Sequence, residues 1–157
     1  MVKHEDIDPD LQELAFLFFY KYSRFEFALK ENGFLRNPSP GSAALPGWRE
    51  FADTGYAAYR LSPEAADLID AAPKCQVVGA NGNLEWRDVD YRGFPGDLGK
   101  VIRLLQTVRN NLFHGGKHGA DGWDDPARAA MLLRLGTDVP DQIARGSGLE
   151  ADYFRCY

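Results

Sequence analysis

Arg109, Asn110 and His114 stand close together in the segment Val108 to Lys117, VRNNLFHGGK. A guanidinium is always charged and fork-shaped, suited to gripping an anion such as a phosphate in two places. A neutral imidazole takes a proton near neutral pH and an imidazolium gives one back. The amide between them can orient the ring or donate to an anionic oxygen. The set therefore suits proton transfer beside a bound anion. Lys117 and His118 follow in a glycine-flanked loop and are secondary binding candidates, though such residues are more often solvated loop charges.

The element carrying the set reads as an amphipathic helix starting at Pro95-Gly96-Asp97 and broken by Gly115-Gly116. Leu98, Val101, Leu105, Val108 and Leu112 step by three and four, the stripe of one buried face. Arg103, Thr107, Asn110 and His114 carry the same spacing on the opposite face, which needs either water or another subunit. Arg109 falls at the stripe's edge. Two structural roles compete with the chemical one. Arg109 can pair with a core carboxylate, Glu26 being the obvious one, and an ion pair between them is expected. His114 can be a histidine favoured as a cation by the helix C-terminus.

Upstream, Asp8-Pro9-Asp10 supplies a cap and a first-turn proline for a long helix ending near Asn32-Gly33. Leu11, Ala15, Phe18, Tyr22, Phe25 and Leu29 form its core stripe, and Phe16, Phe19, Ser23 and Glu26 a second face. Eight of the chain's twenty aromatic residues fall between Phe16 and Phe34, so more than one face of this helix needs cover. Arg24 is read as a surface residue. Residues 36–61 are rich in Pro, Gly and Ser, with a short helix around Trp48–Ala52. Ser62-Pro63-Glu64 opens another helix to about Ala72, and Gln76-Val-Val and Leu84-Glu-Trp flank a GANGN turn as a small hairpin. Asp125-Pro126 caps a last helix, which Pro140 is expected to kink or divide. The aromatic tail, Tyr153 to Tyr157, is expected to pack. The fold class is mainly all-α: a single domain over residues 1–157, an up-down bundle of three or four helices with an irregular insert and a small β-hairpin.

The chain has 157 residues, 45% of them hydrophobic, enough for one domain with a real core. A net charge of −5 excludes coating nucleic acid by bulk electrostatics but not a local basic site. Cys75 and Cys156 lie far apart with no CxxC spacing, as for unpaired thiols in a reducing cytosol. The first apolar run, Ala15 to Tyr20, is too short for a signal core or a membrane span. A cytoplasmic chain with no membrane partner is expected.

Arg109-Asn110-Asn111-Leu112-Phe113-His114 resembles the Arg-x(4–6)-His signature of the HEPN superfamily, including a polar residue directly after the arginine. The first helix, with Tyr22-Ser23-Arg24-Phe25-Glu26-Phe27-Ala28-Leu29, is similar to that family's first helix. The resemblance covers roughly residues 8–35 and 95–147 and leaves the insert out. It implies a helical bundle that dimerises so that two motifs meet across a two-fold axis. It also implies a metal-independent endoribonuclease of the toxin or phage-defence kind, acting on RNA without a cofactor and checked by a cognate neutralising protein. Arg109, Asn110 and His114 would then be catalytic, with Lys117, His118 and Glu26 contributing to binding. A non-catalytic HEPN-like module for RNA or protein is the alternative, favoured somewhat by the negative net charge. A metal hydrolase is disfavoured, because His4, His114 and His118 show neither Glu-x-x-His nor His-x-x-x-His spacing.

Overall fold

The computed structural model describes residues 8–114 and 125–155. Helix α1 spans Pro9–Glu31, and the Asp8 carboxylate accepts from the backbone N–H groups of Asp10 and Leu11 at 2.8 and 3.3 Å. That cap satisfies two N–H groups that a helix start leaves without a carbonyl. Asn32 ends the helix, and Gly33 at φ +80 turns the chain away, a conformation glycine adopts without steric cost. A short helix α2, Trp48–Glu50, runs into a π-helical turn over Phe51–Gly55. Helix α3 spans Pro63–Ala71, with Ser62 as its side-chain cap. Strands β1 (Cys75–Val78) and β2 (Leu84–Arg87) form the antiparallel hairpin, with Gln76 opposite Trp86. Helix α4 is Gly96–Phe113, α5 is Pro126–Ser147, and a short α6, Glu150–Tyr153, follows.

The fold is mainly helical with one small hairpin, as the spacing of apolar and turn residues predicts. Helix α5 packs along α1, and α3 packs against both α4 and α5. Phe18, Phe25 and Leu29 from α1 meet Val101, Leu105 and Val108 from α4 and Leu133 and Ile143 from α5 in one core. The insert is part of that core. Trp48 stacks on Phe25 with ring centroids 5.1 Å apart, and Phe51 and Leu68 are fully buried.

Two expectations need correction: the division of α5 and the exposure of Arg24. Helix α5 passes through Pro140 as a single element. Leu132, Leu133 and Leu135 before the proline, and Val139, Ile143 and Ala144 after it, are all buried. Their packing outweighs the roughly 3 kcal/mol that an interior proline costs. Arg24 is buried, not a surface residue: its guanidinium donates to the carbonyl oxygens of Tyr153, at 3.2 Å, and Asp152. It thereby closes the C-terminal end of α6 onto α1. Asp141 helps hold the same region, taking an ion pair from Lys21 at 2.5 Å and a hydrogen bond from the Tyr153 hydroxyl at 2.5 Å. The expected packing of the tail holds at Tyr153, which is buried, but does not bury Phe154 and Arg155, which are exposed; Cys156 and Tyr157 lie outside the described residues.

The α1–α5 seam depends on a missing side chain. A Cβ on Gly136 would lie 2.6 Å from Cε2 of the fully buried Phe18. Gly136→Ala gains about 1 kcal/mol of helix propensity but drives a methyl group into a ring enclosed on all sides. The clash should win, with a net loss of about 1–3 kcal/mol, read as a melting temperature lower by roughly 2–10 °C. An unchanged or higher melting temperature would show that Phe18 can move aside.

Candidate functional site at the end of helix α4

The apolar stripe of α4 is buried as its spacing predicts, with Leu98, Val101, Leu105 and Val108 inside and Leu112 at the edge. The opposite face departs from expectation. The hairpin of the insert lies beside it, and the Asn111 side-chain amide donates to the Lys74 carbonyl at 2.9 Å, tying the base of β1 to α4. Thr107 is buried and returns its hydroxyl to the Arg103 carbonyl at 2.8 Å. Between hairpin and helix opens a cleft of about 300 Å³. Strand β1 contributes Cys75 and Gln76 to its wall; α4 contributes Arg103, Thr107, Asn110, Asn111 and His114. Asn110 and His114 are exposed at its rim, so the motif's amide and imidazole share one cleft with a guanidinium.

That guanidinium is not the motif's own. Arg109 lies to the side of the cleft. Its Nη1 donates to Asn110 Oδ1 at 3.1 Å, and its guanidinium carbon sits 5.0 Å from the centre of the Phe113 ring. Asn110 therefore links Arg109 to the cleft. Phe113 in turn packs against Phe19 of α1, centroids 5.6 Å apart. Phe16, Phe19, Tyr20 and Phe113 are all exposed, Phe16 at 68%. An aromatic surface thus begins where the motif ends.

The Glu26–Arg109 ion pair is not formed. The Glu26 carboxylate accepts instead from the Trp48 indole N–H at 2.9 Å, which the insert brings across α1. Both charges still act on one group, the phenol of Tyr22. Burial is the main cause holding it well above the ordinary tyrosine range, Glu26 adds to the effect, and Arg109 and Arg103 oppose it. Tyr22 therefore stays a neutral hydroxyl at any physiological pH. Glu26 does not line the cleft, so the structure gives it a role in holding the insert. Lys117 and His118 lie outside the described residues.

Sequence reasoning missed Cys75 and Gln76 as walls of the cleft and left Arg103 among the polar face without a role. Placing the hairpin against α4 is a long-range contact that no local periodicity encodes. Among the described residues no group of three His, Cys, Asp or Glu side chains is arranged to hold a metal ion, and no helix is long and apolar enough to cross a membrane.

Compared with models of known protein families, with curated proteins and with solved structures, the chain matches none.

Proposed function

We propose that this chain is a metal-independent endoribonuclease of the HEPN type, cytoplasmic and homodimeric, with a composite site built from two copies of the α4 motif. The observation that carries the reading is the opening of Asn110 and His114 onto one cleft with Arg103, Arg109 being bonded to Asn110 at its edge. Internal cleavage of RNA needs a base, an acid and a cation on the phosphorane, roles that imidazole and guanidinium fill. One His114 takes the proton of the 2′-hydroxyl as its oxygen bonds to phosphorus. The symmetry-related His114 gives a proton to the 5′-oxygen as the bond from phosphorus to that oxygen breaks. Arg109, which leaves the Phe113 ring to reach the cleft edge where Asn110 stands, holds the phosphoryl oxygens and stabilises the charge that builds on them. The exposed aromatic surface of α1 and Phe113, continuous with the motif, supports the pairing of two copies. The acidic chain suits an effector of the toxin or phage-defence kind that is selective, or checked by a neutralising partner.

One observation favours the other reading, a non-catalytic module for RNA or protein. Within one chain the Arg109 guanidinium rests on Phe113, outside the cleft. The experiment that separates the two is incubation of the purified chain with RNA in excess EDTA. The ribonuclease reading expects cleavage to continue, with 2′,3′-cyclic phosphate and 5′-hydroxyl ends. RNA left intact with and without divalent metal, yet retained by the chain, would instead make it a binding module.

A further inference from the structure

A second cleft, of about 400 Å³, reaches α4 at Gln106, and nothing in the mechanism above uses it. Arg36, Trp48, Arg49 and Glu50 of the insert line it together with Phe94 and Gln106. The two clefts are joined through α4. Arg103, a wall of the first, donates from Nη1 to the Gln106 side-chain oxygen at 3.1 Å, and Gln106 is a wall of the second. Gly99 makes the junction possible, since a Cβ there would strike the backbone of Phe94. The Phe94 ring is thereby held over α4, with the guanidinium carbons of Arg49 and Arg103 at 5.7 and 5.3 Å from its centre.

Two like charges converging on one ring repel each other; of these Arg49 lines the second cleft, where Arg36 joins it, while Arg103 lines the first. Among the described residues no carboxylate lies within 4 Å of any of the three to form an ion pair. Asp90, whose carbonyl accepts from Arg103 at 3.3 Å, gives its carboxylate to Arg92 at 2.6 Å. Glu50 is the opposing charge in the cleft wall. In a chain of net charge −5 this is a local concentration of positive charge around a flat aromatic face. An anion would relieve the repulsion, and a planar base would use the ring. An acidic peptide would meet the charges but would not extend the stack of ring and guanidinium planes as a planar base does. A duplex is too wide for concavities of this size, whereas a single strand presents its bases and phosphates one at a time.

We propose that Arg36, Arg49, Arg103 and Phe94 form a flanking subsite for single-stranded RNA, binding the phosphates and one base next to the nucleotide at the His114 cleft. The assignment rests on the ribonuclease reading for its substrate, and the test separates the two. The probe is a labelled single-stranded 2′-O-methyl oligonucleotide of about ten nucleotides, which cannot be cleaved by internal attack. Its binding to the full chain is followed by fluorescence anisotropy at several salt concentrations. The Arg36→Ala, Arg49→Ala double variant should bind at least tenfold more weakly, and its slope of log affinity on log salt should be shallower by about 1.4, the share of two phosphate contacts on a single strand. Arg49→Lys, which keeps the charge and loses the flat fork, should retain the slope and lose part of the affinity. Arg134→Ala, an exposed arginine on α5, controls for bulk charge, and thermal melts confirm that each variant is folded.

Wild-type affinity in the folded double variant would overturn the subsite even if the protein cleaves RNA. Loss of binding there, in a protein that does not cleave RNA, would leave the subsite standing and remove the catalytic reading. Failure of the wild type to bind the probe at micromolar concentration would also overturn the proposal. So would displacement of the probe by poly-glutamate as effectively as by RNA of equal charge, because that marks a surface for acidic protein.

Discussion

Phe16→Glu should convert the protein from a particle of twice the 17.5 kDa chain mass to the single chain, and cut RNA cleavage by about two orders of magnitude or more. Phe16 is 68% exposed on α1, one turn from Phe19, which reaches Phe113 and so the motif helix. In the isolated chain a carboxylate there meets water, and the melting temperature of the monomer should reflect a change within about 0.5 kcal/mol. At a two-fold interface the same substitution places two carboxylates on self-complementary apolar patches, where each loses its hydration and faces its copy. A patch of this kind, paired with its copy, belongs with obligate interfaces of on the order of 2,000 Å². Phe16→Leu keeps the apolar contact and should keep both dimer and activity. Light scattering at micromolar concentration checks the masses. A wild type already of single-chain mass, or a monomeric Phe16→Glu that cleaves normally, would remove the composite site.

Much of the fold is legible in the residues, because its signals are local. Asp8-Pro9 and Asp125-Pro126 mark helix starts by capping chemistry that acts over one turn, and both helices begin there. The alternation around GANGN is also local, and the hairpin pairs across that turn. Pro140 is the reverse case. Its cost is local and readable, but the burial that overcomes it comes from α1 across the core, which the sequence of α5 does not display. Arg24 and Glu26 fail for the same reason. The partner of Arg24 is the backbone of the C-terminal helix, and that of Glu26 is an indole from the insert, both remote in sequence. Spacing on α4 places Asn110 and His114 on one face, and they do share a cleft. That spacing says nothing of the hairpin forming the other wall, nor that Arg109 turns toward Phe113 while Arg103 lines the cleft.

The three motif residues should separate in their effects. Asn110→Ala removes the link between Arg109 and the cleft and an orienting amide, so its loss of rate should be the mildest. Arg109→Ala should inactivate and also destabilise somewhat, because the guanidinium covers the Phe113 ring.

The central claim is that His114 moves the protons of RNA cleavage, and single-turnover cleavage by purified His114→Ala in EDTA tests it most directly. His114 is exposed at the end of α4, and the helix cap uses its backbone N–H, which donates to the Asn110 carbonyl at 2.9 Å whatever the side chain. Fold and dimer should therefore survive the substitution, and the melting temperature and mass should match the wild type. The account predicts a rate at least ~10²–10⁴-fold lower, the range expected for loss of a general acid–base group. Cleavage by folded, dimeric His114→Ala at the wild-type rate would contradict it.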